Sequence, residues 1–260
     1  MITLHVITAL VGGLLLGLAS FFVVSKNMAF ATTGVAHAMF GGIALAVVAG
    51  MNPQIGGMAF GLLMGLGMFL FGRRLPQDAV IGLTFSFLMS VGAIALRFYR
   101  GYANLLWSYM FGNITLATWS DVFAALILLA VGSALVGVRY DRLKVYMFSE
   151  EIAAAEKVPI NLYTGILILF QTLVIILVLR IFGSILTSSL LVVPALLSFM
   201  LFRGFTLSLL MSGVLAVLMT LGGYAVSYTF DLPYGATTTS LAFLVFVLVW
   251  LVRREVWLKV

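Results

Sequence analysis

The chain has 260 residues, of which 63% are hydrophobic and only 8% charged, with a mean hydropathy of +1.23. A water-soluble domain carries about 25% charged residues around one core, so this composition excludes a soluble fold and calls for lipid. The net charge of +6 comes without a basic-aromatic patch for single-stranded nucleic acid, and there is no cysteine for disulfides or thiolate chemistry.

Residues 1–24 lack a basic start and a small-x-small cleavage site, so 5–24 reads as a retained span. Further runs free of Asp, Glu, Lys and Arg lie near 29–50, 53–72, 79–96, 122–138, 161–179, 181–202, 204–228 and 235–252. Most approach the ~20 residues of a spanning helix. The expectation is an all-α, polytopic membrane bundle of about nine helices in one transmembrane domain, 1–260. The stretch 102–117 is shorter and rich in Tyr and Trp, and reads as interfacial, as a short re-entrant helix or as a tenth span.

All eight acidic residues fall outside the runs. With the N-terminus outside, the inner loops hold Lys26, Arg73, Arg74, Arg139, Arg142, Lys144, Lys157, Arg203, Arg253, Arg254 and Lys259, which is 11 of the 14 Lys and Arg. Arg97, Arg100 and Arg180 face out. The excess of positive charge on inner loops sets orientation, so the N-terminus is expected outside and the C-terminus in the cytoplasm.

Glycines recur at four-residue spacing, as Gly13 and Gly17 in the first run and Gly57, Gly61 and Gly65 in the third. Small residues at this spacing let helix backbones approach closely in lipid. Residues 139–160 form the longest polar stretch. There Ser149 stands as an N-cap before Glu150 and Glu151, and a short amphipathic helix is expected to run through Ile152, Ala153, Ala154, Ala155, Glu156 and Lys157 before Pro159. It reads either as a solvated connector or as a docking element for a cytosolic partner.

His37 is the ionisable side chain near the middle of a run, with Thr33, Gly34, Phe40 and Gly41 on its helical face. An intramembrane histidine is a candidate metal ligand or a buried hydrogen-bond donor. Pro194 should kink or break its helix, one to two turns after Thr187, Ser188 and Ser189. Asp231, Pro233 and Gly235 mark a turn before the last run. No Walker-type phosphate loop is present, so any ATP-driven step needs another chain.

Four segments carry a family resemblance: AHAMFGGIALA (36–46), QDAVIGLTFSFLMSVG (77–92), YMFGNIT (109–115), and the region from LRIFGSILTSSLLVVPALLSFML (179–201) to DLPYGATTT (231–239). In this order they resemble the membrane permease subunit of bacterial and archaeal ABC importers for zinc, manganese and iron. The resemblance implies a type II importer-like homodimer in the plasma membrane with the pathway at its centre. It implies cytosolic ATPase subunits docked on Ser149–Lys157 and an extracytoplasmic solute-binding protein. It also implies a metal site at His37, and no cofactor beyond the transported ion, zinc first and manganese or iron next. In much of that family an Asp stands one turn before the histidine, where this chain has Thr33, a weaker ligand for a hard cation than a carboxylate. Asp78, Pro194 and Asp231 are pathway or gate candidates.

Three other classes compete. A permease for cobalamin or a siderophore would be a longer chain. An ion-coupled secondary transporter would place carboxylates inside the membrane, and an intramembrane enzyme would need a paired catalytic set.

Overall fold

The computed structural model describes residues 2–72, 74–98 and 109–257, with the side chains of 254–257 excepted. Arg73, Arg100, Lys259 and residues 102–108 of the Tyr- and Trp-rich stretch lie outside the described residues. The helices are α1 (Ile2–Ser25), α2 (Ala29–Val48), α3 (Pro53–Phe71), α4 (Gln77–Leu96), α5 (Trp119–Val138), α6 (Tyr140–Phe148), α7 (Glu150–Ala155), α8 (Ile160–Leu190), α9 (Val193–Leu201), α10 (Phe205–Phe230) and α11 (Tyr234–Trp257). Residues 109–111 are helical and a single 3-10 turn covers Ile114–Leu116. No strand occurs among the described residues.

Among the described residues eight segments are long and apolar enough to cross a bilayer, and one of them, Ile160–Leu201, is 42 residues long. Its contacts show that it crosses twice. It begins beside α6, where Tyr146 and Thr164 share a hydroxyl hydrogen bond of 2.7 Å. It reaches the far side at Arg180, whose Nη2 donates to Asp121 Oδ2 at 2.7 Å. At Gly183, with φ 74 and ψ 165, it reverses. On the way back Ala195 N donates to Ser20 Oγ (3.1 Å) near the end of α1, and Ser198 Oγ donates to Ser208 O (2.7 Å) at the start of α10. Among the described residues, the expected crossings, about nine, are therefore present as eight elements, one of them a hairpin.

Two faces result. One carries the α1–α2 turn with Lys26, the α3–α4 turn with Arg74, helices α6 and α7, and Arg203 before α10. The opposite face carries the α2–α3 turn, Arg97, the start of α5 and the α10–α11 turn. Hereafter these are the basic and the opposite face.

Close backbone approaches hold the bundle. Gly17 packs on the backbone of Ser212 and Gly213, and Gly42 on that of Gly56, where a Cβ on either would collide with the neighbouring chain. Hydroxyls reinforce the α1–α10 seam: Ser212 Oγ donates to Gly17 O (2.7 Å) and Thr220 Oγ1 to Ala9 O (2.8 Å). In lipid, where apolar surfaces gain little from meeting each other, such packing and hydrogen bonds hold helices together. The glycine series on α3 divides, with Gly57 and Gly61 facing Ile43 and Met39 of α2 and Gly65 facing Thr172 of α8. Leu15, Leu16, Val35, Met64, Ile175 and Leu186 are buried, whereas Leu83, Phe87, Ile127 and Leu244 stand exposed. On a soluble protein such outward residues would form an interaction patch, and here they mark the lipid-facing surface.

Candidate metal-transit site and docking face

Helix α2 is buried on most sides. Its less covered stripe runs through Phe30, Thr33, His37 and Phe40, at the three- and four-residue steps of one helical face. His37 Nδ1 lies 2.8 Å from the Thr33 carbonyl oxygen. A carbonyl only accepts, so Nδ1 carries the proton and the neutral ring keeps its lone pair on Nε2. The Phe85 ring of α4 meets the imidazole edge-on, at 6.0 Å and 71°. The ring is thereby held from two sides, by the Thr33 carbonyl and the Phe85 ring. Thr33 serves through its carbonyl, while its hydroxyl lies 3.5 Å from Ala29 O. Among the described residues no three His, Asp or Glu side chains gather into a metal site. On this stripe of α2 His37 is the one imidazole.

The other pathway candidates are not gathered around this stripe. Asp78 is exposed in the first turn of α4, on the basic face, where the helix N-terminus favours a carboxylate. It precedes Phe85 by about two turns, roughly 10 Å along the helix. Pro194 sits in the first turn of α9, and the break falls before it, at Leu191–Val192. Proline tolerates that position because the N–H it lacks would be unpaired anyway. The neighbouring amide of Ala195 is taken up by Ser20, as irregular backbone at membrane depth requires. Asp231 caps α10 in a left-handed conformation, φ 51, within a turn closed by Ser227 Oγ donating to Leu232 O at 2.6 Å. It lies on the opposite face, far from His37.

The polar stretch 139–160 folds into two helices. Ser149 Oγ accepts from Ile152 N (3.3 Å) and caps α7, with Glu150 and Glu151 in its first turn. The helix is shorter than expected: Glu156 is its C-cap and Lys157, at φ 57, turns the chain before Pro159 is reached. Ala153 is buried, while Glu151, Ile152, Ala154, Ala155 and Glu156 point outward. Helix α6, which lies within the polar stretch, buries Leu143 and Tyr146. Its Tyr146 is only 1% exposed. A cavity of about 620 Å³ opens beside α7, walled by Phe148, Ile152, Phe199 and Phe205, with Asp141 and Lys144 also lining it. Phe148 is 84% exposed, an unusual cost for an aromatic ring on the basic face.

Lys26, on the turn into α2, reaches this element. Its Nζ pairs with Glu150 Oε1, donates to Tyr146 O (3.5 Å) and sits 4.0 Å above the centre of the Tyr146 ring.

The sequence reading missed several polar residues. Arg180 donates to Asp121 and to Leu116 O (3.2 Å). With its amide oxygen turned toward Arg180, Gln54 accepts from Nε (3.3 Å) and Nη1 (3.0 Å). These groups rim an apolar cavity of about 450 Å³ between α3 and α5. His5 Nδ1 lies 3.3 Å from Tyr224 OH. Gln171 Nε2, Thr172 Oγ1, Thr187 Oγ1 and Ser188 Oγ are buried without a hydrogen-bond partner. For Gln171 a signal existed, a lone amide in an apolar run. For His5 and Arg180 the partners are too distant in sequence.

Comparison with known proteins agrees with this architecture. Residues 1–253 match the family model described as "ABC 3 transport family". A "Probable metal transport system membrane protein" of Thermotoga maritima is 30% identical over 245 residues, covering 92% of this chain and 86% of that protein. The "Manganese transport system membrane protein MntC" of Listeria innocua is 26% identical, covering 94% and 88%. Among solved structures, "PsaBC from Streptococcus pneumoniae in complex with Fab" superposes with a TM-score of 0.80 at 25% identity, covering 95% of this chain and 89% of that one. The nine crossings, the apolar lipid face and the match along nearly the full length place this chain in the ABC 3 transport family, as a membrane permease subunit of metal importers.

Proposed function

We propose that the chain carries divalent transition-metal ions across the plasma membrane as a homodimer, driven by cytosolic ATPase subunits docked at Ser149–Lys157. The basic face is then cytoplasmic, the N-terminus outside, and a solute-binding protein delivers the ion to the opposite face. The observation that supports this best is the His37 ring: Nδ1 is committed to Thr33 O at 2.8 Å, Nε2 is left to bind, and the stripe that carries it is incompletely covered within one protomer. A two-fold axis along that stripe brings together two imidazoles. Two neutral nitrogen donors hold an ion weakly enough to release it, as transit requires.

Nitrogen donors without a carboxylate favour zinc over harder ions, and zinc is the first cargo proposed. Manganese is a second reading, favoured by the name of the Listeria relative. His37→Ala should cut metal uptake by at least about tenfold, the scale seen when metal-site partners are removed, with the ATPase still copurifying. Elemental analysis of cells with and without the chain identifies the ion. Uptake unchanged in His37→Ala would remove the site, and equal zinc, manganese and iron contents would remove metal import.

A further inference from the structure

We propose that Lys26 is a positioning residue for transport: it ties α2, and with it His37, to the α6–α7 element. This rests on the reading of α7 as the ATPase-docking helix.

On the α2 side the connection is short. Lys26 lies in a tight turn between α1 and α2, with Asn27 at φ 54 and Met28 N donating back to Val23 O at 2.8 Å. Such a turn has little slack, so a displacement of Lys26 passes to the first turn of α2. From Ala29 the helix runs uninterrupted to His37, about 12 Å away.

The α6–α7 side offers a three-point grip. The ammonium pairs with Glu150, the first residue of α7. It also donates to the Tyr146 carbonyl and lies over the Tyr146 ring. That ring is fixed: it is buried, its hydroxyl shares a hydrogen bond with Thr164, and the Tyr163 ring lies 5.6 Å away. Burial pushes the Tyr146 phenol up to about 12, so the group stays neutral and its hydroxyl hydrogen bond to α8 persists at any working pH.

Lys26 has 12% of its side chain exposed and Glu150 54%. An ion pair open to water on one side contributes little to stability. The pair is thus poorly suited to being a staple, and well suited to keeping two moving elements in register. A tilt of α7 pulls Glu150, Lys26 follows, and the start of α2 shifts under His37.

The test uses the whole complex in proteoliposomes, with ATP hydrolysis and zinc uptake read from the same sample. In Lys26→Gln, hydrolysis should stay within about twofold while uptake per ATP falls on the order of fivefold or more, the lower range of inter-site coupling. Lys26→Gln with Glu150→Gln should be no worse than the first alone, because both remove one contact. Lys26→Arg should retain coupling, because a guanidinium can still pair with Glu150, donate to the Tyr146 carbonyl and lie over its ring. Uptake per ATP unchanged in Lys26→Gln would overturn the proposal. If Lys26→Gln fails to assemble, Glu150→Gln breaks the same contact from the α7 side, and unchanged uptake per ATP in that variant would do the same. A wild-type chain that binds no ATPase overturns the functional reading itself, before any variant is compared.

Discussion

The His37 imidazole has one nitrogen spent on its own helix and one free, and that division decides what it can ligate. In the proposed site, the residue one turn earlier would decide how hard a cation is accepted. Thr33→Asp would place a carboxylate on the same stripe, and oxygen anions favour harder ions. The variant should therefore gain manganese binding relative to zinc, as measured by competition in the reconstituted complex. A second residue-scale expectation concerns Asp121, which serves both as the Arg180 partner and in the α5 capping box. Asp121→Asn should cost about 1.5–3 kcal/mol, the range for a hydrogen bond to a charged group, seen as a lower unfolding midpoint in detergent. His37 was legible in the sequence because an ionisable group inside an apolar run needs a reason. The His5–Tyr224 and Arg180–Asp121 pairs were not, because their members stand 219 and 59 positions apart and only the packing joins them.

At the scale of elements, the limits of the spans were readable from charge alone, since Lys, Arg, Asp and Glu stop at the water. The place where the chain reverses was harder to read. The sequence divides 161–202 at Arg180, the only charge within it, but the turn lies three residues later at Gly183. Arg180 stays helical and carries its charge to Asp121, whereas Gly183 supplies the φ of 74 that a side chain resists. Gly183→Ala meets strain of roughly 1–3 kcal/mol and also the backbone of Met110 to Gly112. Gly204→Ala, at φ 94 with nothing within 4 Å, meets strain alone. The first should lower the unfolding midpoint clearly more than the second. Helix α6 escaped the sequence reading because Asp141, Arg142 and Lys144 interrupt its apolar residues, and only the contact with α8 shows that Tyr146 turns inward.

For the whole molecule, an odd number of crossings puts the two chain ends on opposite sides. The absence of cysteine makes this directly measurable. A single cysteine at Glu151 should react with an impermeant maleimide only after the cell is opened, and one at Leu232 should react in intact cells. Reaction of both from outside would contradict the fold. The α1–α10 seam has a further consequence, in the order of assembly. Gly17 and Ser212 are 195 residues apart, which at ~5–20 residues per second is roughly 10–40 s of translation. Throughout that interval the first helix waits in the membrane with its glycine groove unfilled, a vacancy for insertion factors to shield. Nascent chains halted before α10 should accordingly remain open to protease long after their earlier spans are threaded.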